Sequence, residues 1–236
     1  MDKYLKLLEK DYSNEELIEN LKKEENDDFE KIFSIISLKT PIEESLFKIL
    51  IQKLVDNPTP LREITALKLE EINKLNPEFF NYKEAQEIIS RGIIDINPNI
   101  SRAICNIIQN NEYLKNSLEE KIIEKIEEIL KEENNFKDKK SEFQNNNKSH
   151  AKNKKLFSLY WLLEALSITN TQKNNDKILN LVTITINFSD YTIREKSAKI
   201  IKNIKNCPKD LIKKAIEDEN FYVKNQVYDK IDNEID

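Results

Sequence analysis

A single glycine, Gly92, occurs in the 236 residues of this chain. Glycine provides the tight turns and the close backbone approach that phosphate-binding loops, dinucleotide fingerprints and nucleophile elbows require. None of these sites can be built from this sequence. Tight β-hairpin turns also favour glycine, most often in an Asn-Gly pair, and the chain contains no such pair. The glycine content therefore favours a helical protein over a protein built on sheets.

The six prolines stand where helices are expected to begin. Thr40-Pro41 precedes Glu43 in the order of a cap residue, a first-turn proline and a capping-box glutamate. The same reasoning predicts helix starts near Pro58, Pro60, Pro77, Pro98 and Pro208. Gly92 follows an apolar segment, and we expect it to end that helix in the left-handed conformation.

Between these predicted helix starts and ends, apolar residues recur with the period of an α-helix, as in Leu118, Ile122 and Ile126. Segments of this kind with short connections are typical of helical hairpins in series. The predicted fold class is therefore all-α, with ten to thirteen helices. The predicted helices cover residues 3–10, 14–24, 27–38, 41–55, 59–75, 81–91, 98–109, 111–132, 155–169, 174–187, 190–205, 208–218 and 221–231.

One segment has no apolar period. Residues 133–153 are polar and rich in Asn and Lys, which is typical of a segment that cannot bury enough apolar surface to remain ordered. We predict a flexible insertion there, within a single domain that covers residues 1–236. Residues 1–39 begin with a strongly acidic stretch and are predicted to be N-terminal capping helices.

A sequence pattern recurs at the starts of four predicted helices. An acidic residue in a turn is followed by an aliphatic residue and then by a basic residue. The four acid–base anchors are Asp56 with Arg62, Asp95 with Arg102, Asp190 with Arg194, and Asp218 with Lys224.

This pattern resembles the HEAT repeat, whose units pair two helices and begin the second with an aspartate, an aliphatic residue and an arginine. The resemblance covers residues 40–231, although the gap between acid and base varies and Lys224 replaces the arginine. It implies a right-handed α-α superhelix with a concave surface of second helices. It also implies that the anchor residues form a structural ladder of Asp and Arg side chains between successive units.

The sequence contains few residues of the types that usually act in catalysis. His150 is the only histidine and lies in the predicted flexible segment, and Cys105 and Cys207 are isolated, so neither a metal site nor a histidine-based triad is expected. We predict no enzymatic activity and no cofactor. One alternative remains, because some DNA glycosylases are HEAT-like solenoids of this size. In that alternative Trp161 and Glu164 are the aromatic and acidic candidates, although Trp161 is expected to be a core residue.

Charge is distributed unevenly over a chain whose net charge is −5. Residues 154–216 carry twelve basic and five acidic residues. This excess predicts either an ordinary solvated surface or a docking patch for an anionic partner. The residues of the predicted patch are Lys199, Lys202, Lys205, Lys209 and Lys213.

The function predicted from these features is a non-catalytic scaffold that binds another protein. The alternative is a nucleic-acid-binding or glycosylase-like solenoid that uses the basic C-terminal half. The start of the sequence is not that of a signal peptide, no apolar run is long enough to span a bilayer, and the two isolated cysteines are typical of reduced thiols. We therefore expect a location in the cytoplasm without a membrane contact. We also predict a monomer.

Overall fold

The computed structural model describes residues 7, 9–137, 146–169 and 171–228. Within these ranges all regular structure is helical, which confirms the predicted all-α class. Short connections join most of these helices, and most of the helices lie at the predicted positions. The α-helices are α1 (Asn14–Lys22), α2 (Asp28–Ser37), α3 (Glu44–Gln52), α4 (Thr59–Leu75), α5 (Lys83–Gly92), α6 (Pro98–Gln109), α7 (Glu112–Lys137), α8 (Asn146–Thr169), α9 (Asn175–Thr185), α10 (Tyr191–Asn203), α11 (Lys209–Ile216) and α12 (Phe221–Asn225), and a 3-10 helix covers Pro77–Asn81.

The chain divides into two compact units, with the boundary between Leu114 and Lys115 near the start of α7. Both halves follow the same principle of construction, in which consecutive helices pack as pairs. The single domain over residues 1–236 and its right-handed superhelix stay predictions.

In the first unit, α1 packs on α2, α3 on α4, and α5 on α6. The pairs are stacked, because the first helices α1, α3 and α5 contact one another in sequence, as do the second helices α2, α4 and α6. Apolar side chains fill the space between the two rows, and Phe47 and Phe80 meet there with ring centres 4.9 Å apart. Each pair thus buries its apolar faces against its neighbours.

In the second unit, α9 packs on α10 and α11 packs on α12. The second helices α8, α10 and α12 again lie side by side. The predicted stripe of α7 is buried at Leu118, Ile122 and Ile126, and most apolar residues of the segment 157–166 in α8 are buried as well. The 3.6-residue period therefore identified the core positions of these helices.

Capping residues explain several helix starts. Ser13 and Asp27 each form a capping box, with Glu16 and Glu30 respectively. Pro58, Pro77, Pro98 and Pro208 stand at the N-cap or first position of their helices, as predicted. Pro41 is the exception, because α3 begins only at Glu44 and the Thr40–Pro41 peptide bond is cis.

The expected left-handed conformation of Gly92 is wrong. Gly92 does not have a positive φ, and it is the last residue of α5. A Cβ atom at this position would lie 2.9 Å from Cγ1 of Ile104 in α6. Glycine is therefore required here by the close packing of two helices rather than by a backbone turn.

The helices that flank the predicted insertion are longer than the sequence pattern indicated. Helix α7 continues to Lys137 and α8 begins at Asn146, so both enter the segment 133–153. Residues 138–145 of that segment lie outside the described residues. In the predicted capping region 1–39, α1 and α2 are described, whereas residues 1–6 and 8 are not.

Candidate interaction surface

Arg62 of α4 connects its helix pair to the next pair in the first unit. Its Nε and Nη2 atoms donate to the two carboxylate oxygens of Asp95 at 2.8 and 3.0 Å, and Nη1 donates to the carbonyl of Asn57. Both charged side chains are largely buried. A bidentate contact of this kind holds the turn before α6 against the start of α4.

Arg194 of α10 forms the same contact in the second unit. Its Nε and Nη2 atoms donate to Asp218 at 2.7 and 3.1 Å, and Nη1 donates to the carbonyls of Phe188 and Ser189. Burial raises the pKa of Asp218, but the hydrogen bonds from Arg194 and from the backbone outweigh burial, so the pKa lies below its usual value. The Asp218 carboxylate is thus held in its ionised form.

Arg102 does not belong to this ladder, which corrects the sequence prediction. Arg62 and Arg194 each lie four residues after the N-cap of their helix, and in α6 that position is occupied by Ser101. The buried Ser101 hydroxyl donates to the carbonyl of Asp95 at 3.1 Å. Arg102 points to solvent, one helical position further on.

Asp190 also has a different role from the one predicted. It is the N-cap of α10 and accepts a hydrogen bond from the backbone N–H of Thr192 at 2.9 Å. Asp56 pairs with the exposed Arg91 instead of with a second-helix arginine. Lys224 occupies the fourth position after the N-cap of α12, and its charge makes a small contribution to the lowered pKa of Asp218.

A cavity of about 250 Å³ lies beside the first of these bidentate pairs. Two arginines and two aspartates line it, together with Gly92. Arg62 is bound to Asp95 and Arg91 is bound to Asp56, so the charges of the cavity cancel within the protein. We assign no ligand to it.

The predicted basic patch is not gathered on one helix face. Lys199 and Lys202 lie in α10, Lys205 lies in the turn that follows, and Lys209 and Lys213 lie in α11. Four of these side chains are exposed, whereas the Lys199 side chain is only 34% exposed because its ammonium group binds Glu164 at 2.6 Å. The expectation that Lys199 is a solvent-exposed docking residue is therefore wrong.

Glu164 of α8 is the centre of a charged cluster with α10. Lys196 and Lys199 place their ammonium groups 3.0 and 2.6 Å from its two carboxylate oxygens. Burial raises the pKa of Glu164, but the two lysines outweigh burial and the pKa lies below its usual value. Lys196 also lies 4.7 Å from the ring centre of Tyr160. The cluster joins two neighbouring second helices through two ion pairs to one carboxylate.

Three aromatic side chains form a solvent-exposed cluster on the neighbouring helices α10 and α12. Tyr191, Phe221 and Tyr222 are 43%, 65% and 61% exposed. The rings of Tyr191 and Tyr222 are nearly parallel with centres 6.3 Å apart, and Phe221 meets Tyr222 edge-on at 5.9 Å. We call these three residues the aromatic cluster.

The backbone beneath the aromatic cluster is held at several points. Asp190 caps α10, and Asn220 caps α12 through the N–H of Tyr222 at 2.9 Å. Asp218 accepts from the N–H of Asn220 at 2.8 Å while it binds Arg194. The ladder contact therefore fixes the start of α12, and with it two of the three rings, against α10.

The aromatic cluster was not predicted from the sequence. A signal was available, because Tyr191 and Phe221 each follow directly on the N-cap of a second helix. Residues at the first positions of such helices are exposed in this chain, as Pro98 and Asn99 are in α6. Aromatic residues at such positions could therefore have been predicted to lie on the surface.

The described residues also bear on metals and membranes. They contain no group of three or more His, Cys, Asp or Glu side chains that could hold a metal ion. None of their helices combines the length and the apolar character that crossing a membrane would require. Cys105 and Cys207 are both buried.

The fold and the surface together define an all-α protein of stacked helix pairs. No protein-family model matches the sequence, and no curated protein matches it either. Among solved structures, the crystal structure of an engineered protein is similar to this chain, with a TM-score of 0.44 and 12% sequence identity over 93% of this chain and 95% of that chain.

Proposed function

We propose that this chain is a non-catalytic scaffold that binds another protein. The aromatic cluster carries this proposal. Large aromatic side chains are enriched at protein interfaces, and a contiguous exposed group of them marks a surface that is covered in a complex. Here three such side chains from two neighbouring helices lie together and are exposed.

The rows of second helices support the same proposal, because hydrogen bonds between neighbouring helices hold their exposed faces. Glu63 of α4 accepts from Asn97 and Asn99 at the start of α6, at 2.8 and 2.9 Å. In the second unit, Gln226 donates to Glu195 of α10 at 3.2 Å. A surface that is rigid before binding loses less conformational entropy on binding.

The glycosylase-like alternative receives less support. A catalytic acid or base works best with a pKa near the working pH, whereas the pKa of Glu164 is lowered by two lysines that contact both of its oxygens. Trp161 is only 8% exposed and makes edge contacts with Phe157 and Tyr160. These two residues therefore have the properties of a structural cluster.

A nucleic-acid partner is also less well supported. Such binding depends on lysines and arginines that neutralise phosphates. Lys199 is bound to Glu164, Lys196 is buried against the same carboxylate, and the net charge of the chain is −5.

We also propose, on the sequence grounds given above, that the chain is a HEAT-repeat protein, that it is monomeric and that it is located in the cytoplasm.

The proposal is tested by capture of proteins from the native cell with the purified full chain and two variants. Phe221→Ser/Tyr222→Ser removes two exposed rings, and Tyr113→Ser removes an exposed ring of α7 as the matched control. We expect the first variant to lose specific protein capture while the control retains it. A chain that instead binds DNA or RNA with a steep salt dependence, unaffected by the double substitution, would contradict the proposal.

A further inference from the structure

We propose that the aromatic cluster binds an arginine-bearing segment of the protein partner. This inference rests on the proposed scaffold function and adds the chemistry of the partner. A guanidinium group stacks on aromatic rings and is attracted by their electron-rich faces. The aromatic cluster offers three exposed rings. The centre of the Tyr222 ring lies 6.3 Å from that of Tyr191 and 5.9 Å from that of Phe221.

The charges around the aromatic cluster select a cationic partner. Residues 188–195 and 217–225, which carry the cluster, contain five acidic and two basic residues. Arg194 and Asp218 neutralise each other beneath the cluster, which leaves four acidic residues and one basic residue in these segments. The side chain of Glu219, two residues before Phe221 in the sequence, is 90% exposed and lies 3.5 Å from Arg194 at the edge of that pair. A negatively charged segment would therefore be repelled from this surface, whereas a positively charged one is attracted.

The same kind of contact already occurs within the chain. The ammonium group of Lys196 lies 4.7 Å from the ring centre of Tyr160 while it also binds the carboxylate of Glu164. A cation is thus held between a tyrosine ring and a carboxylate across two neighbouring second helices. The aromatic cluster presents two tyrosine rings on the next pair of second helices, and no cation from the described residues lies over them.

The inference is tested by fluorescence anisotropy with the full chain and labelled short peptides. The first peptide contains several arginines separated by serines, the second replaces each arginine with citrulline, and the third is rich in proline without charge. Citrulline keeps the shape of the arginine side chain and removes its charge. We expect the arginine peptide to bind and the citrulline peptide to bind at least about tenfold more weakly.

Variants assign the binding to the aromatic cluster. Phe221→Ser/Tyr222→Ser should weaken arginine-peptide binding about tenfold, Glu219→Gln should weaken it about twofold to fivefold at low salt, and Tyr113→Ser should leave it unchanged. Thermal unfolding followed by circular dichroism checks that each variant is folded. If Phe221→Ser/Tyr222→Ser does not fold, Tyr222→Ser alone replaces it with the same expectation.

Three results would overturn the inference: equal binding of the arginine and citrulline peptides, tighter binding of the proline-rich peptide, or arginine-peptide binding that survives loss of the two rings. Failure of the scaffold proposal has a different signature. If the cluster variant loses capture of cellular protein but no arginine peptide binds, the scaffold function stands and the proposed partner chemistry is wrong. If the wild-type chain captures no protein, the scaffold function itself fails.

Discussion

Arg194 binds both carboxylate oxygens of Asp218, and this contact connects α10 to the turn that begins the next helix pair. Arg62 and Asp95 repeat the arrangement in the first unit. In both cases the aspartate also accepts a hydrogen bond from the backbone two residues later, so one carboxylate fixes a turn and a neighbouring helix together. The pair thus links the local structure of a turn to the stacking of helices.

Loss of the arginine from this pair should destabilise the protein. Arg194→Gln leaves the buried Asp218 carboxylate with one partner fewer, and we expect the free energy of unfolding to fall by about 2–4 kcal/mol. Arg102→Gln is the matched control, because Arg102 is exposed, and it should change stability by less than about 0.5 kcal/mol. Chemical denaturation measures both. Equal effects of the two substitutions would contradict the assignment of the ladder.

The acid sensitivity of the fold should depend in part on Glu164. Its lowered pKa means that the ionised form stabilises the fold above the pKa of the unfolded chain, and that this stabilisation is lost as the pH falls through the lower folded value. Glu164→Gln should therefore be less stable than the wild type at neutral pH, by about 1–3 kcal/mol. The difference should shrink below about pH 4.

Denaturation measured across this pH range tests the prediction for Glu164. Glu87→Gln serves as the control, because that side chain is largely exposed and its contact with Lys83 is long at 3.8 Å. The control should follow the wild-type curve. A constant difference between Glu164→Gln and the wild type at every pH would show that the carboxylate charge does not stabilise the fold.

Reversal of charge at Lys199 should be costly, unlike reversal at Lys205. Lys199→Glu places a second carboxylate beside Glu164, whose other contact is the buried Lys196, and we expect a loss of about 1–3 kcal/mol. Lys205 is exposed in the turn after α10, so Lys205→Glu should stay within about 0.5 kcal/mol of the wild type. Thermal unfolding of the two variants checks this. Wild-type stability of Lys199→Glu would refute the cluster.

Substitution of the single glycine should be destabilising despite better helix propensity. The Cβ atom in Gly92→Ala would contact Ile104 at 2.9 Å, and we expect a loss of about 1–3 kcal/mol, partly offset by about 1 kcal/mol of propensity. Ile104→Ala removes the contacting atoms. In that background, Gly92→Ala should no longer destabilise the protein, which a double-mutant cycle measures. A cost that persists there would point to a backbone effect.

Removal of the Tyr82 hydroxyl should not harm the fold. This oxygen is buried without a hydrogen-bond partner among the described residues, and burial raises the pKa of Tyr82 to about 12. Tyr82→Phe keeps the ring beside Phe47 and should raise the free energy of unfolding by up to about 1–2 kcal/mol. A clear fall in the melting temperature would show that the hydroxyl has a partner.

The sequence by itself determined the fold class and the core positions of most helices. Apolar residues such as Leu118, Ile122 and Ile126 recur with the helical period, and caps and prolines mark where helices begin, because both effects act between neighbours in the chain. The same local information predicted that Arg62 and Arg194 lie at equivalent positions near the starts of second helices.

Only the tertiary structure decided which side chains meet across helices. The recurring acid–base pattern placed Arg102 in the ladder, and the charge distribution placed Lys199 in an exposed patch, yet Ser101 occupies the ladder position and Lys199 binds Glu164. A shift of one residue turns a helical side chain by about 100°, which exchanges a buried contact for solvent. The need for Gly92 and the grouping of Tyr191 with Tyr222 arise in the same way. Each depends on how closely two helices approach, and no spacing along the chain encodes that distance.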